Sequence, residues 1–293
     1  MIDAGIPRTR AAFLRWATSR LADSGLDEPG REAWRLLSPD TGEVPAFLMR
    51  PAEQIPPAEF HDFVRRVDRR VDREPLAYIR GRSEFMSLDF FVDRRVLIPR
   101  PETEILVEAV LERAGEVPEG TVVDLGTGSG AIAISLALQL RERTLYATDI
   151  STDALHVAGR NIHRYGLEDR VQLRVGDLTR ALPPDTPVAI LVANPPYIPS
   201  DELKGLQPEV SGWEPSAALD GGHDGLVIIR RILAEAKSLL VPGALLALEL
   251  GAQQAVTVAE ALRAEGYIDV TAIPDLAGIP RVVLGRYPGE VDA

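Results

Sequence analysis

The stretch that most restricts the possible folds of this chain reads VVDLGTGSGAIAISLAL and spans residues 122–138. A short apolar strand comes first, Gly126, Gly128 and Gly130 follow, and an apolar segment with helical spacing ends it. Glycine adopts positive φ values without strain, so such a loop can turn sharply and approach a ligand closely. The free N–H groups at the start of the following helix attract a carboxylate or a phosphate. The stretch therefore predicts a strand, a ligand-binding loop and a helix.

The C-terminal two thirds of the chain repeat this alternation of short strands with helices. Strands are predicted at residues 122–125, 145–148, 171–175, 188–193, 244–249, 268–272 and 281–286. Helices are predicted at residues 103–114, 131–140, 152–165, 226–240 and 253–265. Such alternation builds a mainly parallel sheet with helices on both faces, and ligands bind at the carboxyl ends of its strands. The predicted fold class is α/β, with a Rossmann-like sheet of seven strands.

Residues 1–74 lack this alternation and are predicted to be helical. Apolar residues recur at helical spacing after Thr9, a residue type that favours helix N-caps, and a short helix is predicted over residues 31–37. A longer helix is predicted after Pro56 and Pro57. Its polar face carries Arg65, Arg66, Arg69, Arg70 and Arg73 among Asp62, Asp68 and Asp72. This face is either a solvated surface with ion pairs between turns or a docking face for an acidic partner.

Composition restricts the classes of function. Acidic residues outnumber basic residues by 44 to 32, which gives a formal net charge of −12, so no nucleic-acid partner is expected. The chain has no cysteine and four histidines outside any metal-binding pattern, so no metal site is predicted. No run of residues approaches the roughly 20 apolar residues of a membrane span, and the first ten residues lack the apolar run of a secretory signal. A cytoplasmic protein without a membrane partner is expected.

Two aspartates follow neighbouring strands of the predicted sheet. Asp149 ends a strand where a carboxylate can accept hydrogen bonds from both hydroxyls of a cofactor ribose. Asp177 follows the next strand, where it can accept from an adenine amino group with Leu178 against the ring, or simply cap the next turn. Both a nicotinamide dinucleotide and S-adenosylmethionine carry such a ribose. The loop and Asp149 alone therefore leave the choice of cofactor open.

The sequence VANPPYIPSDE, residues 192–202, follows the predicted fourth strand. Pro195 and Pro196 donate no backbone N–H, so their carbonyls can point out of the fold, and Tyr197 adds a flat face. The side-chain oxygen of Asn194 and the carbonyl of Pro195 can each accept one N–H of a planar NH2 group. The motif predicts a slot that holds an amide or aniline-type nitrogen for alkylation, and an ordinary rigid turn is the alternative.

The motif NPPY after DLGTGSG is similar to those of methyltransferases that use S-adenosylmethionine to modify exocyclic or side-chain amide nitrogens. Four further stretches narrow the resemblance. They are PLAYIRGRSEF (75–85), VLIPRPETEILVE (96–108), EVSGWEPSAALDGGHDGL (209–226) and DLAGIPRVV (275–283). Together these motifs, spread over residues 75–286, resemble the peptide chain release factor glutamine methyltransferases.

This resemblance implies three domains. They are a helical partner-recognition domain (1–74), a linker with a β-hairpin (75–99) and a class I S-adenosylmethionine-dependent methyltransferase domain (100–293). The implied cofactor-binding residues are Gly126, Thr127, Gly128, Ser129, Gly130, Asp149, Asp177, Leu178 and Asn194. Asn194, Pro195 and Tyr197 are implied to be catalytic, and together with Pro196 they are implied to hold the substrate amide.

The implied reaction methylates the glutamine in the Gly-Gly-Gln loop of release factors and yields S-adenosyl-L-homocysteine. The enzyme is expected to be a monomer. Glu102 and Glu104 either lie beside the cofactor or serve as acids at a helix N-terminus.

Three rival functions remain at this point. The same chemistry can act on a ribosomal-protein glutamine or on an adenine amino group, although the stretches IPRPETE and WEPSAALDGG favour a release factor. A nicotinamide-dependent oxidoreductase accounts for the glycine loop but leaves NPPY unexplained. An inactive cofactor-binding scaffold has no need of the NPPY slot.

Overall fold

The structure is a computed structural model that describes residues 5–37 and 49–289. The chain forms two compact units, one of Met1–Gly81 with Pro208–Trp213 and one of Arg82–Gln207 with Glu214–Ala293. The division thus follows Gly81, and one short segment from within residues 100–293 belongs to the first unit. The helical prediction for residues 1–74 includes residues 1–4 and 38–48, which lie outside the described residues.

The first unit is helical, as predicted. It contains α1 (Arg10–Asp23), α2 (Pro29–Leu37), α3 (Pro57–Val71), α4 (Leu76–Arg80) and a four-residue helix at Pro208–Ser211. Phe13 of α1 and Phe60 of α3 are fully buried, and their rings meet edge to face with centroids 5.6 Å apart. Thr9 occupies the N-cap position of α1, but its side chain makes no capping hydrogen bond.

Acids of the same unit pair with the arginines of α3. Arg66 Nε lies 2.7 Å from Asp62 one turn earlier, as expected for a solvated helix face. Arg70 is buried and contacts both Glu32 at 2.8 Å and Glu209 at 3.0 Å. Since Arg73 also lies 2.8 Å from Glu209, two arginines hold this one acid. The structure therefore favours the ion-paired interpretation of the arginine-rich face over a docking face.

The second unit is the predicted α/β domain. Its sheet has seven strands, which are β3 (Thr121–Leu125), β4 (Leu145–Asp149), β5 (Val171–Val175), β6 (Val188–Ala193), β7 (Leu240–Glu249), β8 (Ile268–Pro274) and β9 (Pro280–Arg286). Their order in the sheet is β5-β4-β3-β6-β7-β9-β8, and all are parallel except β9, which is antiparallel to both of its neighbours. The helices are α5 (Pro101–Arg113), α6 (Ala131–Gln139), α7 (Thr152–Arg164), α8 (Val227–Ala236) and α9 (Ala255–Ala264). All residues of β6 are buried, so the core lies along the centre of this sheet.

Two successive predicted boundaries are wrong. The helix predicted to reach residue 240 ends at Ala236, and β7 begins at Leu240 rather than at Ala244. The sequence Pro242-Gly243 resembles a loop, but here it lies inside the strand, where the register against β6 shifts. Gly243 has φ of 86°, a conformation that lets the irregularity fit within the strand.

A two-stranded hairpin precedes the sheet, as predicted for the linker. Strands β1 (Ser83–Phe85) and β2 (Leu88–Phe90) pair antiparallel around Met86 and Ser87, which both have positive φ values. Among the described residues, no helix has the length and apolar content to cross a membrane.

Candidate active site

The carboxyl ends of five neighbouring parallel strands, β5, β4, β3, β6 and β7, lie at one end of the sheet. Adjacent strands pair in register there, with Leu125 beside Ala193 and Ala193 beside Leu248. The glycine loop follows β3, Asp149 ends β4, Asn194 follows β6 and Glu249 ends β7. The predicted groups therefore lie in the order Asp177, Asp149, glycine loop and Asn194 along a single edge.

The glycine loop has the geometry of a ligand-binding loop. Gly126, Gly128 and Gly130 have φ values of 73°, 54° and 83°. A Cβ atom at Gly126 or Gly128 would meet no atom within 4 Å, so their backbone is open to a ligand. At Gly130 it would lie 3.3 Å from Ile134 and 3.4 Å from Ala158, so this glycine permits close packing of α6 and α7. The three glycines thus have two different roles.

Thr127 and Ser129 are buried, and their contacts hold the loop in place. The Thr127 hydroxyl donates to Asp124 Oδ2 at 2.6 Å, and the Ser129 carbonyl accepts from Asn161 at 2.8 Å. Sequence reasoning missed Asp124, although an acid inside the apolar run VVDL was a usable signal. Burial raises the pKa of Asp124 to about 7, and the charge of Asp149 adds to this increase.

Asp149 is placed as predicted at the end of β4. Its Oδ2 accepts the backbone N–H of Gly128 and its Oδ1 that of Ser151, each at 2.9 Å. Burial raises its pKa, while these backbone N–H groups oppose the increase. Asp149 thus anchors the open part of the glycine loop, and each oxygen still has a lone pair for a ligand hydroxyl.

Asp177 and Leu178 lie beyond β5, farther along the same edge. Asp177 Oδ2 accepts from Arg231 Nη2 at 2.7 Å, which orients the carboxylate. Leu178 has φ of 50° and packs partly buried against the main core. Sequence reasoning missed Arg231, because its helix α8 lies 54 positions later in the chain.

The NPPY motif follows directly after β6. Asn194 is half-buried, and its Nδ2 donates to Thr103 Oγ1 in α5 at 3.1 Å. Among the described residues, no hydrogen bond is donated to Asn194 Oδ1 or to the carbonyl of the buried Pro195. Pro196 and Tyr197 are half-buried, and the Tyr197 hydroxyl donates to Glu249 Oε1 at 3.3 Å. Both predicted acceptors are thus without a hydrogen-bond donor among the described residues.

The glycine-rich segment LDGGHDGL, residues 219–226, packs against the backbone of this motif. The backbone of Ile198 pairs with that of Leu219 at 3.0 Å and of Gly221 at 2.8 Å. A Cβ atom at Gly225 would lie only 2.3 Å from the Tyr197 carbonyl oxygen, which also accepts from Gln254 Nε2 at 2.9 Å. The stretch LDGGHDGL therefore allows close approach to the NPPY backbone, a role that sequence reasoning did not assign to it.

Two charged residues of the IPRPETE stretch, Arg100 and Glu104, have structural partners. Arg100 Nη2 donates to the buried Glu214 at 2.6 Å, which joins this stretch to WEPSAALDGG. Glu104 Oε1 accepts the Met86 backbone N–H of the hairpin at 2.6 Å. The structure thus favours a structural role for Glu104, whereas Glu102 acts on the carboxyl of Glu249 through its charge.

Comparison with known proteins gives a consistent result. Residues 12–81 match the family model described as "PrmC N-terminal domain", and residues 101–205 match "Methyltransferase small domain". A release factor glutamine methyltransferase of Moorella thermoacetica is 47% identical, over 92% of this chain and 95% of its own. The chain belongs to the release factor glutamine methyltransferase family. A second member, from Cereibacter sphaeroides, is 41% identical over 95% of this chain and 98% of its own.

Solved structures support the fold. A methyltransferase from Pyrococcus furiosus superimposes with a TM-score of 0.50, covering 70% of this chain and 91% of its own at 20% identity. Family membership confirms the prediction of an S-adenosylmethionine-dependent methyltransferase. It excludes the rival prediction that the chain is a nicotinamide-dependent oxidoreductase.

The residues of the site fit S-adenosylmethionine. The accessible backbone of Gly126 and Gly128 lies between the carboxylates of Asp149 and Asp177 on one side and Asn194 on the other. This order suits a ligand with an adenosine at one end and a methyl donor at the other. Neighbouring strands lie about 4.8 Å apart, so the ends of β4 and β6 are separated by roughly 10 Å across β3.

Replacing Asp149 with alanine is expected to weaken binding of S-adenosylhomocysteine by about 1.5–3 kcal/mol, the range for hydrogen bonds to a charged group. The substitution also removes the anchors of Gly128 and Ser151, so the loop loses part of its order. Calorimetric titration of wild type and variant measures the difference. An unchanged dissociation constant would show that Asp149 does not contribute to cofactor binding.

Proposed function

We propose that this protein methylates the side-chain amide nitrogen of the glutamine in the Gly-Gly-Gln motif of peptide chain release factors and forms N5-methylglutamine. The observation that carries the proposal is the pair of acceptors at the end of β6. Asn194 Oδ1 and the Pro195 carbonyl accept no hydrogen bond from the described residues, while the NH2 group of Asn194 is held by Thr103. A primary amide has two N–H donors, which match these two acceptors.

An amide nitrogen is a poor nucleophile because its lone pair is delocalised into the carbonyl. S-adenosylmethionine, when bound, supplies a methyl group activated by its sulfonium. Asn194 Oδ1 and the Pro195 carbonyl draw on the two N–H groups and so raise the electron density on nitrogen. Their hydrogen bonds strengthen as positive charge develops there in the transition state. Holding the reacting groups in line can contribute roughly 7–11 kcal/mol to lowering the barrier.

The proton balance requires no dedicated base. The nitrogen gains a methyl group and for a moment carries both of its original protons. A protonated amide is a strong acid, so one proton leaves to water and the neutral methylamide remains. Tyr197 places its ring beside the slot, where it stacks on the planar amide and excludes water from one face.

Two findings support a release factor as the partner. The curated relatives are named release factor glutamine methyltransferases, and the match to one of them extends over 92% of this chain. The first unit includes residues 12–81, which match the N-terminal family model, and we propose that this unit recognises the release factor. A cytoplasmic location and a monomeric state remain predictions, the second testable by light scattering.

A direct comparison of possible methyl-group acceptors tests the proposal. The protein is incubated with methyl-labelled S-adenosylmethionine and, separately, a purified release factor, a ribosomal protein mixture and DNA. A release factor whose motif glutamine is replaced by alanine is the matched control. Label is expected in the intact release factor alone. Label in ribosomal protein or DNA, with none in the release factor, overturns the proposal.

A further inference from the structure

A buried polar network lies behind the proposed amide slot. Thr103, in the first turn of α5, is 4% exposed, and its Oγ1 accepts the Nδ2–H of Asn194 at 3.1 Å. Glu249, at the end of β7, is 1% exposed, and its Oε1 accepts the Tyr197 hydroxyl at 3.3 Å. Thr103 lowers the pKa of the same carboxyl, but no contact between the two has the distance and angle of a full hydrogen bond. Glu249 Oε2 is buried and accepts no hydrogen bond from the described residues, so it is an acceptor toward which the Thr103 hydroxyl can turn. The network thus contacts both ends of the NPPY motif.

The network decides which atom of Asn194 faces the substrate. A threonine hydroxyl has a single hydrogen to donate. If that hydrogen points to the Glu249 carboxylate, Thr103 can only accept from Asn194. The NH2 of Asn194 must then face Thr103, and its oxygen is left for the substrate amide. If Glu249 carries a proton, it can donate to Thr103, and Thr103 can then donate to Asn194 in the opposite orientation.

We propose that Thr103 and Glu249 are positioning residues that fix the orientation of the Asn194 side-chain amide. This inference rests on the function proposed above, because it concerns the same acceptor oxygen. Neither residue touches the substrate nitrogen in this account. Both act through Asn194, and Glu249 also holds the Tyr197 hydroxyl.

The ionisation of Glu249 gives the proposal a measurable signature. Burial raises the pKa of its carboxyl to about 7, and the negative charge of Glu102 adds to this increase. The hydrogen bonds from Thr103 and Tyr197 and the positive charge of Arg281 oppose it. The carboxylate form, which sets the productive orientation, therefore becomes dominant as the pH rises through about 7. Turnover is expected to rise over the same interval and then to level off.

The test measures kcat over a pH series at saturating S-adenosylmethionine and release factor. At saturation, titration of Asp124 and Asp149 cannot change kcat by weakening the binding of a ligand. Thr103→Val removes the hydroxyl with little change of shape, and Thr103→Ser restores it. Glu249→Gln removes the titrating group. Glu265→Gln, at a surface ion pair with Lys237, is the matched control. Thermal unfolding of each variant reports whether it is folded.

Thr103→Val is expected to lower kcat by about 10²-fold, the cost of a misplaced reacting group, with little change in cofactor affinity. Thr103→Ser is expected to recover most of the turnover. Glu249→Gln is expected to lose the rise in kcat near pH 7, and Glu265→Gln to keep it. Wild-type turnover in Thr103→Val, or an unchanged pH profile in Glu249→Gln, overturns the inference. Absence of methyl transfer by the wild type instead counts against the proposed function.

Discussion

Replacing Asn194 with alanine is expected to reduce the rate of methyl transfer by about 10²–10³-fold, the usual cost of losing one preorganised transition-state partner. In the proposed mechanism, the oxygen of Asn194 orients the substrate amide and stabilises the charge that develops on its nitrogen. Cofactor affinity is expected to change much less, because the proposed cofactor contacts are made by the glycine loop after β3 and by Asp149 at the end of β4, away from Asn194. A loss of turnover with retained binding is therefore the expected pattern.

Asn194→Asp separates the role of the acceptor oxygen from that of the neutral, correctly oriented side-chain amide. It keeps an acceptor oxygen but loses the NH2 group that donates to Thr103, and it adds a negative charge beside a sulfonium. This variant is expected to bind the cofactor and to methylate poorly. Single-turnover methyl transfer to a release factor, with a separate cofactor titration, measures both quantities. If Asn194→Ala transfers methyl groups at the wild-type rate, NPPY is only a rigid turn.

Replacing Gly225 with alanine is expected to abolish most of the activity through the backbone of the NPPY motif. The new Cβ atom would lie 2.3 Å from the Tyr197 carbonyl oxygen and 2.6 Å from Gln254 Nε2. Either the Tyr197 backbone moves or the segment around Gly225 does, and a displacement of about 1 Å at a reacting group can cost about 10²-fold in rate. The melting temperature is expected to fall as well.

Gly166→Ala is the matched control for this substitution. Gly166 has φ of 63°, close to the 73° of Gly225, but a Cβ atom there would meet nothing within 4 Å. It therefore carries the conformational strain of alanine at positive φ, about 1–3 kcal/mol, without the collision. Both variants are compared by thermal unfolding and by turnover. Equal turnover in the two variants shows that contact with Tyr197 is not what requires glycine at position 225.

The helices and strands that have a clear local sequence pattern were predicted well. The seven strands, the helix before them and the four helices between them follow from apolar periodicity, and the glycine loop follows from its spacing. The start of β7 was placed wrongly, because Pro242-Gly243 has the local pattern of a loop, and only pairing with β6 keeps it in a strand. Here tertiary pairing prevailed over local sequence preference.

The residues that support the site could not be predicted in the same way. Thr103 contacts Asn194 across 91 positions of sequence, and Glu249 contacts Tyr197 across 52. No motif spacing reports either contact. The first depends on where the helix α5 packs beside the end of β6, and the second depends on the pairing of β6 with β7. Glu209 is a similar case, since its pairing with Arg70 spans 139 positions.

The measurement that tests the central claim most directly is the location of the methyl group on the product. A release factor methylated by this protein is digested, and the labelled peptide is sequenced by mass spectrometry and then hydrolysed in acid. An N5-methylated glutamine is expected to map to the Gly-Gly-Gln motif and to release labelled methylamine, because acid cleaves the side-chain amide. Label on another residue, or label that acid does not release as methylamine, contradicts the claim.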